Sequence, residues 1–406
     1  MPKGAELFQF LLFLCLTLFA LFRVEKEERF LWFEEEGLVE LRVLSPPQES
    51  EEGLRVKVEI LGGDFPELRG KKALLLLYRS VDLPSKSFSM FAEVKAEGNR
   101  VYVKGSYRDI EDLISTKESI RDLYIKRVEE KFQDFQTRAL ILTYLFGEAR
   151  EFLPQDLQYY FLRTGLLHLL VISGFHVGMV FLMLRFCLPY PYGLWLGAVG
   201  VSFYVLLLVP QEPPVLRAWL MLLLWVLIKL QEGRPNALTV LFFSASLLLL
   251  IEPSFVRSYS FWLSFFATLY ILLGLRLLPP SDSLIYRYAL LPTALSFFAF
   301  LGVSPLLLSF TNASMGGIIF STPVGYLFFP FTLYGILQIL TFFSLPTFPL
   351  EVTGKLILHV VSLLSHLDME LRTPLSTRTA YILSFCMALF LYVLGLLRKS
   401  SPHYRG

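Results

Sequence analysis

The sequence predicts a mostly α-helical polytopic membrane protein, with about 8–10 transmembrane helices and a small all-β domain inserted after the first. Three observations carry this. The chain of 406 residues is 54% hydrophobic with 38 Phe and a mean hydropathy of +0.56, more apolar than a soluble fold of this length normally is. Charged residues crowd into positions 23–138, while Gly165 to Leu397 is a series of apolar runs of spanning length. Between the first run and the rest, short β-rich stretches alternate polar with apolar residues.

The first apolar run, Leu7 to Phe22, follows Lys3 and ends at Arg23. Its end is bulky where a cleaved signal peptide would carry small residues, so residues 1–24 read as a retained membrane anchor helix. Later spans are expected at about 166–188, 192–210, 214–230, 236–252, 259–278, 288–310, 316–346 and 378–397, making 166–397 the membrane domain. Pro323 and Pro330 interrupt the 316–346 run, which reads as a hairpin of two spans. Lys and Arg favour the cytoplasmic side in short loops. The tail 398–406, the turn Lys229 to Arg234 and the loop Arg276 to Arg287 then fall inside, with residues 24 to about 165 outside. A single helix over 316–346 would move the tail across.

Residues 25–112 contain five expected strands: Leu38–Leu44, Leu54–Leu61, Leu74–Tyr78, Phe88–Lys95 and Arg100–Tyr107. Arg55 to Ile60 and Val101 to Lys104 alternate with period two, as when one sheet face meets a core and the other meets water. Five such strands suit an OB-like barrel outside the cytoplasm. Its charge is divided: residues 25–67 hold 5 Lys or Arg against 13 Asp or Glu, and residues 69–108 hold 9 against 3. In the basic half Lys71, Lys72, Tyr78, Arg79, Lys86, Phe88, Lys95, Arg100, Tyr102, Lys104 and Arg108 interleave cations with aromatics, the combination that binds phosphates and stacks bases of a single strand. The competing reading is that the aromatics fill the barrel and the charges solvate it. In the linker, 113–165, Ile120, Tyr124, Val128, Phe132 and Phe135 make one apolar stripe, fitting a helix in the headgroup region or docked on the bundle.

The run from Gly147 to Gly178, with Arg163-Thr164-Gly165-Leu166-Leu167-His168 and Val171-Ile172-Ser173-Gly174-Phe175-His176-Val177-Gly178, strongly resembles the signature of the ComEC competence family. Three later stretches agree in the same order: Pro214 to Met221, Phe261 to Thr268, and Ser304-Pro305 through Phe310 and Ser314 to Pro323. The resemblance implies a channel of the cytoplasmic membrane that carries single-stranded DNA inward during natural transformation, with membrane lipid around it. It implies an external DNA receptor and an internal ATP-driven motor as partners, and leaves room for a separate nuclease and a homo-oligomer. The chain departs from the family pattern at Ser258, Ser260, Trp262 and Ser321. It stops soon after the last span, where longer relatives carry a metallo-β-lactamase-like domain, and its five histidines form no H-x-H-x-D-H cluster. No cofactor, metal or catalytic residue is expected, and no P-loop occurs.

Read from its residues alone, Gly174-x-x-x-Gly178, with Gly165 upstream, permits close helix approach, and Ser173 could bond across that contact. His168 and His176, eight residues apart, are about 80° apart around an ideal helix and could share a polar face, and intramembrane ionisable groups, being costly, are candidates for function. Arg217 and Arg257 are the expected cations of a DNA path, and Ser260, Ser264 and Thr268 recur every four residues as its polar stripe. The alternatives are that Arg217 snorkels to the interface and that the hydroxyls bond their own backbone. Two other classes compete with a channel. A small-solute secondary transporter fits the interrupted helices but shows no internal repeat. An intramembrane serine protease built on Ser173 and His176 lacks the expected G-x-S-G, since Val171 holds the first Gly position.

Overall fold

The computed structural model describes residues 3–28, 32–44, 48–50, 53–77, 87–97, 100–105, 110–112, 120–147, 153–367, 369–371 and 374–400. They form two compact units: one of residues 22–119 and 149–153, the other of residues 1–21, 120–148 and 154–406.

The smaller unit is the expected barrel. Its strands are β1 (Trp32–Val43), β2 (Gln48–Ser50), β3 (Gly53–Gly63), β4 (Lys72–Leu77), β5 (Ser87–Glu97), β6 (Arg100–Gly105) and β7 (Ile110–Asp112). The order β1-β3-β4-β6-β5 closes through a β1–β5 ladder from Trp32↔Glu97 to Arg42↔Ser87. The β4–β6 pair is parallel and the other barrel pairings are antiparallel, the strand path of a five-stranded OB barrel. Closure follows from the period-two pattern: Val56, Val58 and Ile60 of β3, Leu75 of β4, Met90 and Val94 of β5 and Val103 of β6 point inward and are buried. Gly63 sits at φ +116° where a Cβ would meet Leu38 O at 2.1 Å, so the β1–β3 crossing requires glycine.

The larger unit comprises α1 (Lys3–Glu28) as far as residue 21, α2 (Ile120–Lys131), α3 (Phe135–Phe146), α4 (Gln155–Arg163), α5 (Leu167–Leu170), α6 (Gly174–Arg185), α7 (Tyr192–Phe203), α8 (Pro213–Leu230), α9 (Ala237–Ile251), α10 (Tyr259–Leu277), α11 (Leu291–Leu307), α12 (Gly316–Leu340), α13 (Phe348–Leu364) and α14 (Thr377–Ser400). A two-stranded patch pairs β8 (Ala313–Ser314) with β9 (Glu370–Leu371). Among the described residues five helices are long and apolar enough to cross a membrane: α8, α10, α11 with its preceding π turn, α12 and α14. Four shorter apolar helices, Phe8–Val24, Gly174–Arg185, Tyr192–Leu208 and Ala237–Ile251, complete the multi-pass bundle. α1 is part of its core: Phe13 is buried and stacks on Phe265 with ring centroids 4.8 Å apart.

One expectation is corrected, and another is decided between its alternatives. Residues 316–346 do not fold back within themselves, because α12 continues through Pro323 and Pro330. The hairpin lies one helix later: Gln338 Nε2 donates to the Leu345 and Pro346 carbonyls at the turn into α13, and Met315 N–H bonds Met369 O where α13 has returned. α13 is therefore docked on the bundle, with Leu350, Ile357 and Val361 buried. In the 113–165 linker, α2 docks on the bundle with Ile125 and Val128 buried, and a new helix begins after Asp134. Asp134 caps α3 by accepting from Thr137 N–H at 2.9 Å, and the Thr137 hydrogen bonds hold its carboxyl below the usual carboxylate range.

The ends of the bundle are sorted by one buried carboxylate. Glu6 on α1 accepts from Arg276 Nη2 of α10 at 2.8 Å, Asn236 Nδ2 at the start of α9 at 2.8 Å, and Tyr392 OH of α14 at 3.3 Å. The start of α1, the loop before α9, the end of α10 and the last turns of α14 thus lie at one end of the helical unit. At the other end Leu375 N–H, just before α14, bonds Leu308 O, just after α11. A single α12 therefore does not separate the start of α1 from the last turns of α14, since α12 and α13 together bring the chain back.

Candidate nucleic-acid path

The strongest sequence motif folds as a broken helix. Gly165 turns the chain out of α4 at φ +72°, with a Cβ position only 2.8 Å from Gly317 N and Ser314 O. α5 lasts one turn, and Val171 (φ −80°, ψ 137°) and Ser173 (φ −132°, ψ 177°) are extended before α6 begins. Residues 166–188 are thus not one continuous span. Irregular backbone at membrane depth persists only where protein or a hydrated cavity satisfies it. Here Ser314 Oγ donates to Arg163 O at 2.8 Å, closing part of the gap.

The break separates the two histidines, which do not share a helical face. His168 is exposed, with Nδ1 against Gly165 O at 2.9 Å and Nε2 against Ser321 Oγ at 3.3 Å. His176 is 2% exposed and lies edge-on to Tyr144, ring centroids 4.2 Å apart, while Tyr144 OH shares a 2.5 Å hydrogen bond with Thr332 Oγ1. Ser173 and His176 form a capping box: Ser173 Oγ accepts from Phe175 N–H at 3.3 Å, and His176 Nδ1 accepts from Ser173 N–H at 3.2 Å. The imidazole therefore addresses the serine backbone and not its hydroxyl, which removes the geometry a serine protease needs. The close approach expected of Gly174 and Gly178 is uneven. A Cβ on Gly174 would make ordinary contact with Ala218 Cβ at 3.5 Å, whereas one on Gly178 would meet nothing within 4 Å. The tight backbone contact is Gly165 against Gly317 on α12, which a G-x-x-x-G search does not reveal.

Arg217, one residue before Ala218 on α8, turns inward rather than snorkelling. It is 7% exposed, and it donates from Nη1 to Thr268 Oγ1 at 2.6 Å and from Nη2 to Ser264 Oγ at 2.5 Å, both on α10. The four-residue stripe thus becomes a cradle for a guanidinium. Thr268 Oγ1 in turn donates to Ser264 O at 3.1 Å. Among the described residues both of its hydrogen-bond partners are neutral hydroxyls, and Nε has none. Ser260, at the end of the stripe, and Arg257, in the turn before α10, are exposed and stand outside this cradle. Further hydroxyls that sequence reading did not single out face each other near Ser321: Thr293 on α11 and Thr322 on α12 are 3.2 Å apart. The cue for them was a Ser-Thr pair before Pro323 in an otherwise apolar run.

On the barrel, the β-ladder sets the outward residues in rows. One row runs Lys57, Leu74, Tyr102, Lys95 across β3, β4, β6 and β5, and the next runs Arg55, Leu76, Lys104, Glu93. Lys72 is also outward and exposed, and Lys71 precedes it. Arg55 and Lys57 were missed because charge summed along the chain assigns them to the acidic half. Counting one strand face at a time finds them. Phe88 is corrected: it is fully buried in the barrel core and presents no face to a base. Tyr78, Arg79, Lys86 and Arg108 lie outside the described residues, and Arg100 opens β6. No group of three His, Cys, Asp or Glu placed to hold a metal occurs among the described residues.

Comparison with known proteins joins these observations. The chain is 40% identical over 347 residues to an uncharacterized protein of Aquifex aeolicus (strain VF5), covering 85% of this chain and 82% of that one. It is 27% identical over 157 residues to the uncharacterized protein YcaI of Escherichia coli (strain K12), covering 36% of this chain and 21% of that one. No solved structure matches it. Residues 145–400, from the end of α3 through the broken helix, the Arg217 cradle and α14, match the family described as Competence protein, and the chain belongs to that family, whose role lies in DNA uptake.

Proposed function

We propose that this protein is a channel of the cytoplasmic membrane through which a single DNA strand passes inward during natural transformation. The observation that carries the reading is Arg217. A guanidinium taken out of water costs several kcal/mol unless an anion offsets it, and two hydroxyls do not. A polyanion crossing a hydrocarbon layer needs water and positive potential along its route, and a buried cation with no carboxylate partner among the described residues supplies the second. The broken α5–α6 segment adds the first: His168, Ser321 and the Thr293–Thr322 pair provide polar groups where the backbone is already irregular. Ser173, Ser264 and Thr268 are positioning residues, the first for the α6 terminus and the others for Arg217.

The barrel is the proposed entry-side contact. Its Arg55, Lys57, Lys104 and Tyr102 face supplies phosphate charge and one stacking platform, the pattern of single-strand binders on OB folds. With Glu6 and Tyr392 at one end of the bundle, the basic loops there read as cytoplasmic. One crossing by α1 then puts the residues that follow it outside. The protein acts as a conduit and not as an enzyme, working with an external DNA receptor, a cytoplasmic ATP-driven motor and, where one exists, a separate nuclease.

The test uses a strain lacking the protein, complemented with the wild-type chain and supplied with labelled DNA tracked outside and inside the cell. Expected without the protein is DNA that binds at the surface and does not enter, and import restored by the wild-type gene. Normal import without it, or a defect confined to a small solute, would favour the transporter reading.

A further inference from the structure

Between α1, α9, α10 and α14 lies an apolar cavity of about 350 Å³. Its floor is the buried face of α10, with Phe265, Leu269 and Leu273 each 6% exposed or less. Its walls are Phe10 of α1 and Phe385 and Leu389 of α14. At one end stand Glu6 and Tyr392, members of the hydrogen-bonded cluster that also holds Arg276 and Asn236. The other side opens outward: Leu389 is 65% exposed and Cys386, also in the lining, is exposed. The neighbouring outward residues on both walls are apolar, Leu11 on α1 and Phe390 on α14, so the mouth continues the surface that faces the bilayer.

From Phe265 to Leu273 the floor extends about 12 Å at the helical rise of 1.5 Å per residue, a slot long and narrow rather than round. Water has nothing to bond in it except at the Glu6 end, and an apolar void of this size forfeits the contacts of every residue that lines it. The apolar matter adjoining the mouth is acyl chain. We propose that this cavity seats one acyl chain of a membrane phospholipid, which packs α1 against α14 and α10 and leaves the lipid's polar end beside the Arg276–Glu6–Tyr392 cluster. Because Arg276 is already paired with Glu6, the cluster carries no net charge, and the site takes zwitterionic and anionic phospholipids alike. The proposal does not depend on what passes through the channel.

The experiment uses the full-length wild-type chain reconstituted in bilayer nanodiscs of phosphatidylethanolamine and phosphatidylglycerol, doped with a phospholipid carrying a photoreactive group at mid-chain. After irradiation the cross-linked residues are mapped by peptide mass spectrometry. Cross-links to Leu269 or Leu273 are expected, since these buried residues are reachable only from inside the cavity, along with the Phe385–Leu389 segment. Cross-links confined to outward residues such as Leu11 and Phe390 would overturn the proposal. As a second reading, native mass spectrometry of the detergent-purified protein should show one retained phospholipid, released in Ala388→Trp, whose indole fills the slot. Equal retention by a folded Ala388→Trp protein, or no retained lipid in the wild type, would also overturn it.

Discussion

Replacing Arg217 by Met should leave the protein at least as stable as the wild type while abolishing DNA import. The two guanidinium bonds to Ser264 and Thr268 are short and charge-assisted, of the kind that contributes about 1.5–3 kcal/mol each. Against them stands the desolvation of a cation in a site that is 7% exposed, an effective penalty of several kcal/mol. Met keeps most of the side-chain volume and removes that penalty. It orphans little, because Thr268 Oγ1 already donates to Ser264 O, leaving one hydroxyl to find its own backbone. The net change is therefore within about 2 kcal/mol of zero and leans towards stabilisation. Detergent-solubilised wild-type and Arg217→Met proteins would be compared by thermal unfolding, and the same variants by the internal fraction of labelled DNA. Import should fall at least tenfold, and Arg217→Lys, which keeps charge but not the two-pronged geometry, should fall between. If Arg217→Met destabilises by more than about 3 kcal/mol, the residue is a structural strut and the argument from uncompensated charge is wrong. Wild-type import by a stable Arg217→Met protein would refute it equally.

Other expected outcomes follow from the same geometry. Glu6→Gln leaves Arg276 without its counter-ion and should cost about 2–3 kcal/mol, the Arg276 side chain being partly exposed, whereas Glu6→Gln with Arg276→Met should recover most of that loss in a double-mutant cycle. Gly165→Ala combines a left-handed backbone with a Cβ 2.8 Å from Gly317 N, so a loss of about 2 kcal/mol or more and detachment of α12 from the broken helix are expected, read as lower thermal stability and faster proteolysis. In nanodiscs the whole protein should bind labelled single strands more weakly as salt rises, and Lys57→Ala with Lys104→Ala should flatten the log–log slope by about 0.7 per phosphate contact removed. Phe88→Tyr should leave that binding unchanged, because Phe88 is in the core. Asp134 contributes stability above its ordinary pKa that is lost as pH falls through its lowered value in the folded state; Asp134→Ala should cost about 1 kcal/mol near neutrality and less in strong acid.

Reporter fusions test the sidedness: one at Gly63 should report the outside and one at Gly406 the inside. A cytoplasmic signal at Gly63 would remove the barrel from the uptake side.

Much of the architecture is a one-dimensional property of this chain. Apolar runs of spanning length announce membrane helices because no other environment tolerates them, and period-two alternation announced the barrel strands because one face must be dry. The 163–178 motif was legible for the same reason, as a dense local pattern. Which residues meet across helices was not written in any run. Ser264 and Thr268 could be placed on one face of α10 from their spacing, but that the face holds Arg217, 47 and 51 residues earlier, depends on how α8 packs against α10. His176 read as a partner of His168 until the extended backbone at 171–173 turned α6 away, and a helix break shows weakly in composition when its signal is a capping serine rather than a proline. Arg55 and Lys57 joined the basic face only when the β3–β4–β6 register laid strands side by side, since adjacency in a sheet is set by hydrogen-bond pairing and not by distance along the chain. The partition of α12 and α13 turned on proline, which removes one helical hydrogen bond but does not end a helix whose neighbours hold it in place.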